Sequence, residues 1–228
     1  MKRGAFMKTA LIFQGGWQGH EPAPVSAIFK NMLEKNGYEV TVTDTLEALR
    51  DGEYVAGFDL LVPCWTMGEI PDECEKNVLK AVENGTGIAG CHGGMCDAFR
   101  NNTGWQFMTG GQWVSHPDGD GVNYTVDVCS DNPIVAGIKS FKVCSEQYYM
   151  HIDPANEVLA TTDFVLHNVN GADKTVTMPA VWTKYWGRGR VFYISVGHHA
   201  DIFENIPEAA LIMERGMLWA GDGKASAV

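Results

Sequence analysis

Short unbroken apolar runs alternate with stretches of helical spacing through the first half of this chain. Lys8–Gln14 (KTALIFQ) predicts a strand, and its run Ala10–Phe13 implies burial on both faces. Pro22–Asn36 carries Val25, Ile28, Phe29, Met32 and Leu33 at helical spacing, and Gly37 ends it. Glu39–Thr43 predicts a second strand, Leu46–Arg50 a short helix and Phe58–Cys64 a third strand. Pro71–Asn84 predicts a helix with Cys74, Val78, Leu79 and Val82 on one face and Gly85 as its stop. Gly85–Met95 follows as a short buried strand that turns sharply into a helix, with Cys91 and His92 at the turn. Strand–helix alternation at these lengths implies βαβ units and a parallel sheet.

The rhythm changes after Met95. Asp97–Gly111 reads as a broken helix and a Gly-rich loop, and Asn123–Cys129 alternates as a one-sided strand does. Ser140–Tyr149 and Glu157–Asp163 predict further strands, with Met150–Asn156 as a linking segment. Asn168–Thr175 reads as a polar turn. Met178–Tyr185 and Arg190–Val196 read as strands around Gly187-Arg188-Gly189. Pro207–Ala220 predicts a closing helix with Ala210, Leu211, Met213, Met217 and Leu218 inward, and Gly221–Val228 a frayed tail. No repeat or linker divides the chain, so residues 7–221 are expected to form a single domain.

Composition narrows the function. The chain has 228 residues, 45% of them hydrophobic, enough for a sizeable core. A net charge of -11 and a pI near 5.0 repel phosphate backbones and anionic membranes, so neither nucleic acid nor a membrane is expected as a partner. No apolar run approaches the roughly 20 residues of a membrane span. Met1–Lys8 is basic, but the apolar piece after it is too short for a signal peptide, which points to a cytoplasmic protein. Met7 reads as an alternative start, with Met1–Phe6 a loose extension. The six cysteines form no C-x-x-C pair and no disulfide ladder, as in a protein with reduced thiols.

Candidate chemistry gathers at strand ends, where open parallel sheets bind ligands. Trp17 to His20, Trp65-Thr66, Cys91-His92 and His198-His199 would meet on one rim. His92 follows the glycine turn and is placed for acid or base work. His20 sits in a Gly-rich loop beside Glu21, and His116-Pro117 lies in a central loop able to cover a ligand. Of the adjacent His198 and His199, only one can face the cleft, and His198 is favoured. Glu146 opens a Glu-Gln-Tyr-Tyr run at a strand end, as either a surface carboxylate or a proton-transfer group. Trp17, Trp65, Trp105 and Trp113 fall in loop-like segments, where aromatics either pack or line ring-bearing ligands. Two further chemistries stay open. Cys91 is either a thiolate nucleophile or an inert core residue. His20, His92, His116 and His198 are candidates to share a divalent ion such as zinc. Gly85, Gly87 and Gly90 spell GxGxxG, but after a helix rather than a strand, which argues against a dinucleotide site.

Several segments together resemble the ThuA-like (trehalose utilisation) family, within the wider class I glutamine-amidotransferase-like fold. They are Gly15-Gly16 with His20, the Gly90–Gly94 elbow with His92, and Gly110-Gly111-Gln112-Trp113-Val114-Ser115-His116-Pro117. Asp131–Ile138, Ser145-Glu146-Gln147-Tyr148, Pro179–Trp182, Gly187–Tyr193 and Gly197-His198 continue the match. The resemblance implies an α/β, flavodoxin-like fold: a mostly parallel central sheet, helices on both faces and an elaborated, β-rich second half. It also implies an enzyme of sugar catabolism acting on a disaccharide, a glycoside or its 3-keto derivative.

In that reading His92, Glu146 and His198 are catalytic, and His20, Trp17, Trp65, His116 and Cys91 contact the sugar. Cys91 falls where the amidotransferases keep their nucleophile. Their catalytic histidine, however, is followed by Pro-Glu, whereas His198-His199 is followed by Ala200-Asp201. Glutamine hydrolysis at Cys91 and non-catalytic carbohydrate binding stand as alternatives. The oligomeric state is left open, a homo-oligomer included.

Overall fold

A computed structural model describes residues 7–226, so the Met1–Phe6 extension lies outside the described residues. The chain runs β1 (Lys8–Gly16), α1 (Pro22–Lys35), β2 (Tyr38–Thr43), α2 (Gly52–Gly57), β3 (Leu60–Thr66), α3 (Asp72–Glu83), β4 (Gly87–Cys91) and α4 (His92–Cys96). It continues through α5 (Thr103–Thr109), β5 (Gly111–Ser115), β6 (Val122–Val128), β7 (Ser140–Ser145), β8 (Tyr149–Ile152), β9 (Glu157–Val169) and β10 (Ala172–Trp186). It closes with β11 (Gly189–Ile194), α6 (Asp201–Asn205), α7 (Pro207–Gly221) and α8 (Gly223–Ser226).

Nine strands form one sheet in the order β2-β1-β3-β4-β11-β10-β9-β6-β7. The first five in that order are parallel and make the flavodoxin-like half. The other strands join antiparallel and make the β-rich half. In β1 the period of two sends Ala10 and Ile12 to one core and Leu11 and Phe13 to the other. The first core is covered by Val25, Phe29 and Leu33 of α1 and by Ile212, Met213 and Met217 of α7. The second is covered by Cys74 and Val78 of α3 and by Trp105 and Met108 of α5.

The second half departs from the expected elements in four places. Ser140–Tyr149 is not one strand: β7 stops at Ser145, and Glu146–Tyr148 turns out of the ladder. Side-chain contacts hold that turn. The Gln147 amide donates to Thr162 Oγ1 at 2.7 Å and to the Asp163 carbonyl at 2.9 Å. The start of the Met150–Asn156 linker, through Ile152, and the end of the Gly-rich loop, at Gly111, fall in strands, β8 and β5, paired in a small sheet of their own. The polar stretch Asn168–Thr175 continues the ladder of β9 and β10, because Asn170 and Gly171 both take positive φ and close a two-residue turn. The expected frayed tail carries α8. Trp105 lies in α5, fully buried, with its indole N–H on the Met95 carbonyl, and not in a loop facing a ligand.

Candidate functional site

The carboxyl ends of β1, β3, β4 and β11 bring their polar groups to one rim. β1 ends on Gly16, where any side chain would strike the Thr66 carbonyl at the end of β3. This close approach lets Trp17 N–H donate to the same carbonyl at 3.1 Å and starts the turn Gln18–His20. His20 is thereby buried with Nδ1 2.8 Å from Thr66 Oγ1.

At the end of β4, Cys91 is extended, and the residue in the left-handed region is His92, with φ 43°. A non-glycine residue held there is strained, and such strain is typical of functional turns. The position that carries the nucleophile at a strand-to-helix elbow therefore belongs to an imidazole, not to the thiol. His92 is fixed on three sides. Its Nδ1 donates to the Ser195 carbonyl at 2.7 Å, Tyr148 stacks on its ring at 3.7 Å, and the Tyr193 hydroxyl donates to its carbonyl at 3.1 Å. The β4–β11 pairing supplies Ser195, and the same strand end, continued through Gly197, delivers His198.

Glu146 reaches this group from the opposite half of the sheet. It is buried, so the surface reading of this carboxylate does not hold. Its Oε2 lies 3.2 Å from His92 Nε2, 3.3 Å from His198 Nδ1 and 3.8 Å from His20 Nε2. Oε1 lies 3.5 Å from Nδ1 of His116, a residue at the cleft mouth. Burial on its own would raise the Glu146 pKa, but the imidazoles of His198, His20 and His92 crowded around the carboxylate outweigh it and hold the group ionised far below the usual carboxylate range. Burial pulls His92 down to about 3, and it also lowers His20. The Tyr124 hydroxyl donates to the Glu146 carbonyl at 3.2 Å and pins its backbone.

Residues far apart in the chain, His20, His92, Glu146, His198 and His116, thus meet in one cluster around the Glu146 carboxylate. Trp17 joins them, about half exposed, its ring edge-on to His20 with the ring centroids 4.8 Å apart. Two expected sugar contacts do not join. Trp65 packs on Gly15 and Gly68, and its ring neighbour is Phe99 rather than a site imidazole. Cys91 is buried with Cys64, Val25 and the core side of His20 around a small cavity, and burial pushes its thiol well above the ordinary range. A buried thiol of that kind is neither thiolate nor surface.

Sequence reasoning missed the outer ring of carboxylates. Asp120 Oδ2 lies 3.9 Å from His198 Nε2 and 3.6 Å from His199 Nε2, and Glu21 Oε1 lies 3.8 Å from His199 Nδ1. The signal for Asp120 was the Asp118-Gly119-Asp120-Gly121 loop just after His116-Pro117. Among the described residues, no helix is long and apolar enough to cross a membrane.

Solved structures show the same fold. A protein described as ThuA-like from Parabacteroides merdae superposes with a TM-score of 0.71 at 20% identity, over 96% of this chain and 91% of that one. Another from Bacteroides uniformis gives 0.71 at 17% identity, over 96% and 94%. A cold-adapted β-galactosidase from Rahnella gives 0.59 at 15% identity, over 98% of this chain but 32% of that enzyme. No curated protein matches in sequence. The sequence model of the ThuA family, described as trehalose utilisation, matches residues 9–220. The chain belongs to the ThuA family.

Proposed function

We propose that this protein is an enzyme of sugar catabolism that cleaves a glycoside or its 3-keto derivative in the cleft around Glu146. One observation carries the reading: a single buried carboxylate oxygen lies within 3.8 Å of nitrogens from three histidines. Such a cluster holds a proton between groups of unlike basicity and can give and recover it, which acid–base catalysis requires. In a 3-keto-glycoside the carbonyl acidifies the neighbouring C2–H. The pair of His92 and Glu146 takes that proton, the C–H electrons form a C1=C2 bond, and the C1–oxygen bond breaks. His198 supplies the proton to the departing oxygen. Trp17, exposed beside His20, offers the sugar an apolar face.

The amidohydrolase alternative is disfavoured, because the thiol it needs is buried and the elbow position holds His92. Turnover of 3-keto-glucosides by the wild-type protein, lost in His92→Ala, tests the proposal. Glycan binding without turnover would turn it into a binding protein.

A further inference from the structure

The inner atoms of this cluster are spaced like a metal-ligand shell. Oε2 of Glu146 is 3.2, 3.3 and 3.8 Å from His92 Nε2, His198 Nδ1 and His20 Nε2. Around a zinc-like ion with bonds of about 2.0–2.1 Å, tetrahedral ligand atoms stand about 3.4 Å apart. One ligand atom from each of the four residues lies within 4.8 Å of the others, all four residues buried. Shifts of about 1 Å at the imidazoles would complete the shell.

The outer atoms fit as well. Imidazoles that bind metals have their second nitrogen engaged by a carbonyl, hydroxyl or carboxylate. Here His92 Nδ1 donates to the Ser195 carbonyl at 2.7 Å and His20 Nδ1 is 2.8 Å from Thr66 Oγ1, whereas His198 Nε2 has Asp120 Oδ2 nearby at 3.9 Å, beyond hydrogen-bond reach. With its proton committed to Ser195, a neutral His92 ring offers a lone pair to a carboxylate oxygen that has only lone pairs. His198 Nδ1 is buried, faces the same oxygen and makes no hydrogen bond. A cation at the centre relieves both mismatches.

We infer that His20 Nε2, His92 Nε2, His198 Nδ1 and Glu146 Oε2 bind one divalent transition-metal ion of the zinc class. Three imidazoles and one carboxylate favour such an ion over magnesium or calcium, which take oxygen shells. The inference rests on the proposed function for the location of the chemistry and deepens it. Bound between the facing lone pairs of His92 and Glu146, an ion would supply Lewis-acid polarisation of the sugar carbonyl, and these two residues would then hold it rather than take the C2 proton. His116, at the mouth and outside the shell, is then the imidazole left to move protons.

The test uses the full chain, stripped with chelator and dialysed. Zn²⁺ is titrated by calorimetry and Co²⁺ by visible absorption, whose d–d bands report a nitrogen-rich site of low coordination number. The expected result is one ion per chain. Affinity should fall at least about 100-fold in His198→Ala and Glu146→Gln, and about 10-fold in Thr66→Val, which keeps every ligand. Circular dichroism checks that each variant is folded. Failure of the wild-type protein to bind either ion overturns the site without reference to any variant, and so does undiminished affinity in His198→Ala and Glu146→Gln. A protein that binds Zn²⁺ but cleaves no sugar keeps the ion site and loses the substrate. One that cleaves sugar while binding no ion keeps the proton network and loses the metal.

Discussion

Nδ1 of His198 and Oε2 of Glu146 face each other at 3.3 Å inside the protein without a hydrogen bond between them. The two residues come from opposite halves of the sheet, so the contact exists only when both halves are assembled. If this junction is the reacting centre, removing either side chain stops the chemistry and spares the fold. Turnover of a 3-keto-glucoside should fall about 10²–10⁴-fold in His198→Ala and in Glu146→Gln. Steady-state kinetics beside a thermal melt checks this; a loss of activity that merely tracks unfolding would count against the assignment.

Stability should fall with acid in chelator-treated protein. His92 in the folded state titrates near 3, below its ordinary 6.5, so between those values the unfolded chain binds a proton that the native one refuses. The stabilisation is fully present above 6.5 and is lost as pH falls toward 3. Glu146, also held below its ordinary value, adds to the loss at more acidic pH. Going from pH 7 to pH 5 should cost on the order of 1–2 kcal/mol from His92. Urea midpoints at the two values measure it, and an unchanged midpoint would show that His92 is not buried as described.

Gly93 has no room for a side chain: a Cβ there would run into the His20 ring and approach the Tyr148 hydroxyl. Gly93→Ala should displace the His20 imidazole and cost about 1–3 kcal/mol of stability. Activity should drop at least about tenfold, since a misplaced group near the reacting atoms is costly. A variant with wild-type kcat/KM would remove His20 from the site.

Lys184 is a buried ammonium, paired with Asp153 and donating to the Phe107 carbonyl. Asp153→Ala strands that charge and should destabilise by about 3–5 kcal/mol, toward the low end because the carbonyl remains. Adding Lys184→Met should recover most of the loss. Denaturant unfolding of the single and double variants decides it; a double variant no better than the single one would mean that packing, not charge, holds the region.

Iodoacetamide should label Cys129 and Cys144, the exposed cysteines, and leave Cys64, Cys74, Cys91 and Cys96 untouched in the native protein. Mass spectrometry of the intact chain reads the adducts. Rapid labelling of Cys91 would reopen a thiol-based reaction.

Much of the parallel half was legible because its signals are local. A buried strand such as Ala10–Phe13 needs apolar side chains on both faces, and a helix such as α1 needs them at its own period; neither depends on distant residues. The β-rich half was harder. Tyr149–Ile152 becomes a strand only because Gly111–Ser115 lies beside it, and β7 ends at Ser145 because Gln147 is drawn to Thr162 and Asp163. Asn170-Gly171 was a local hairpin signal that the surrounding polar residues masked.

The chain alone determined the alternation of strands and helices, the glycine turns at their ends and therefore which histidines stand at the rim. It did not determine what those histidines face. Glu146 is an ordinary carboxylate by composition and spacing, and only assembly of β1, β4, β11 and the β7–β8 turn surrounds it with imidazoles. Burial and charge pairing are sums over groups distant in sequence, so tertiary structure alone decided that this carboxylate is the centre of the site and that the neighbouring thiol is part of the core.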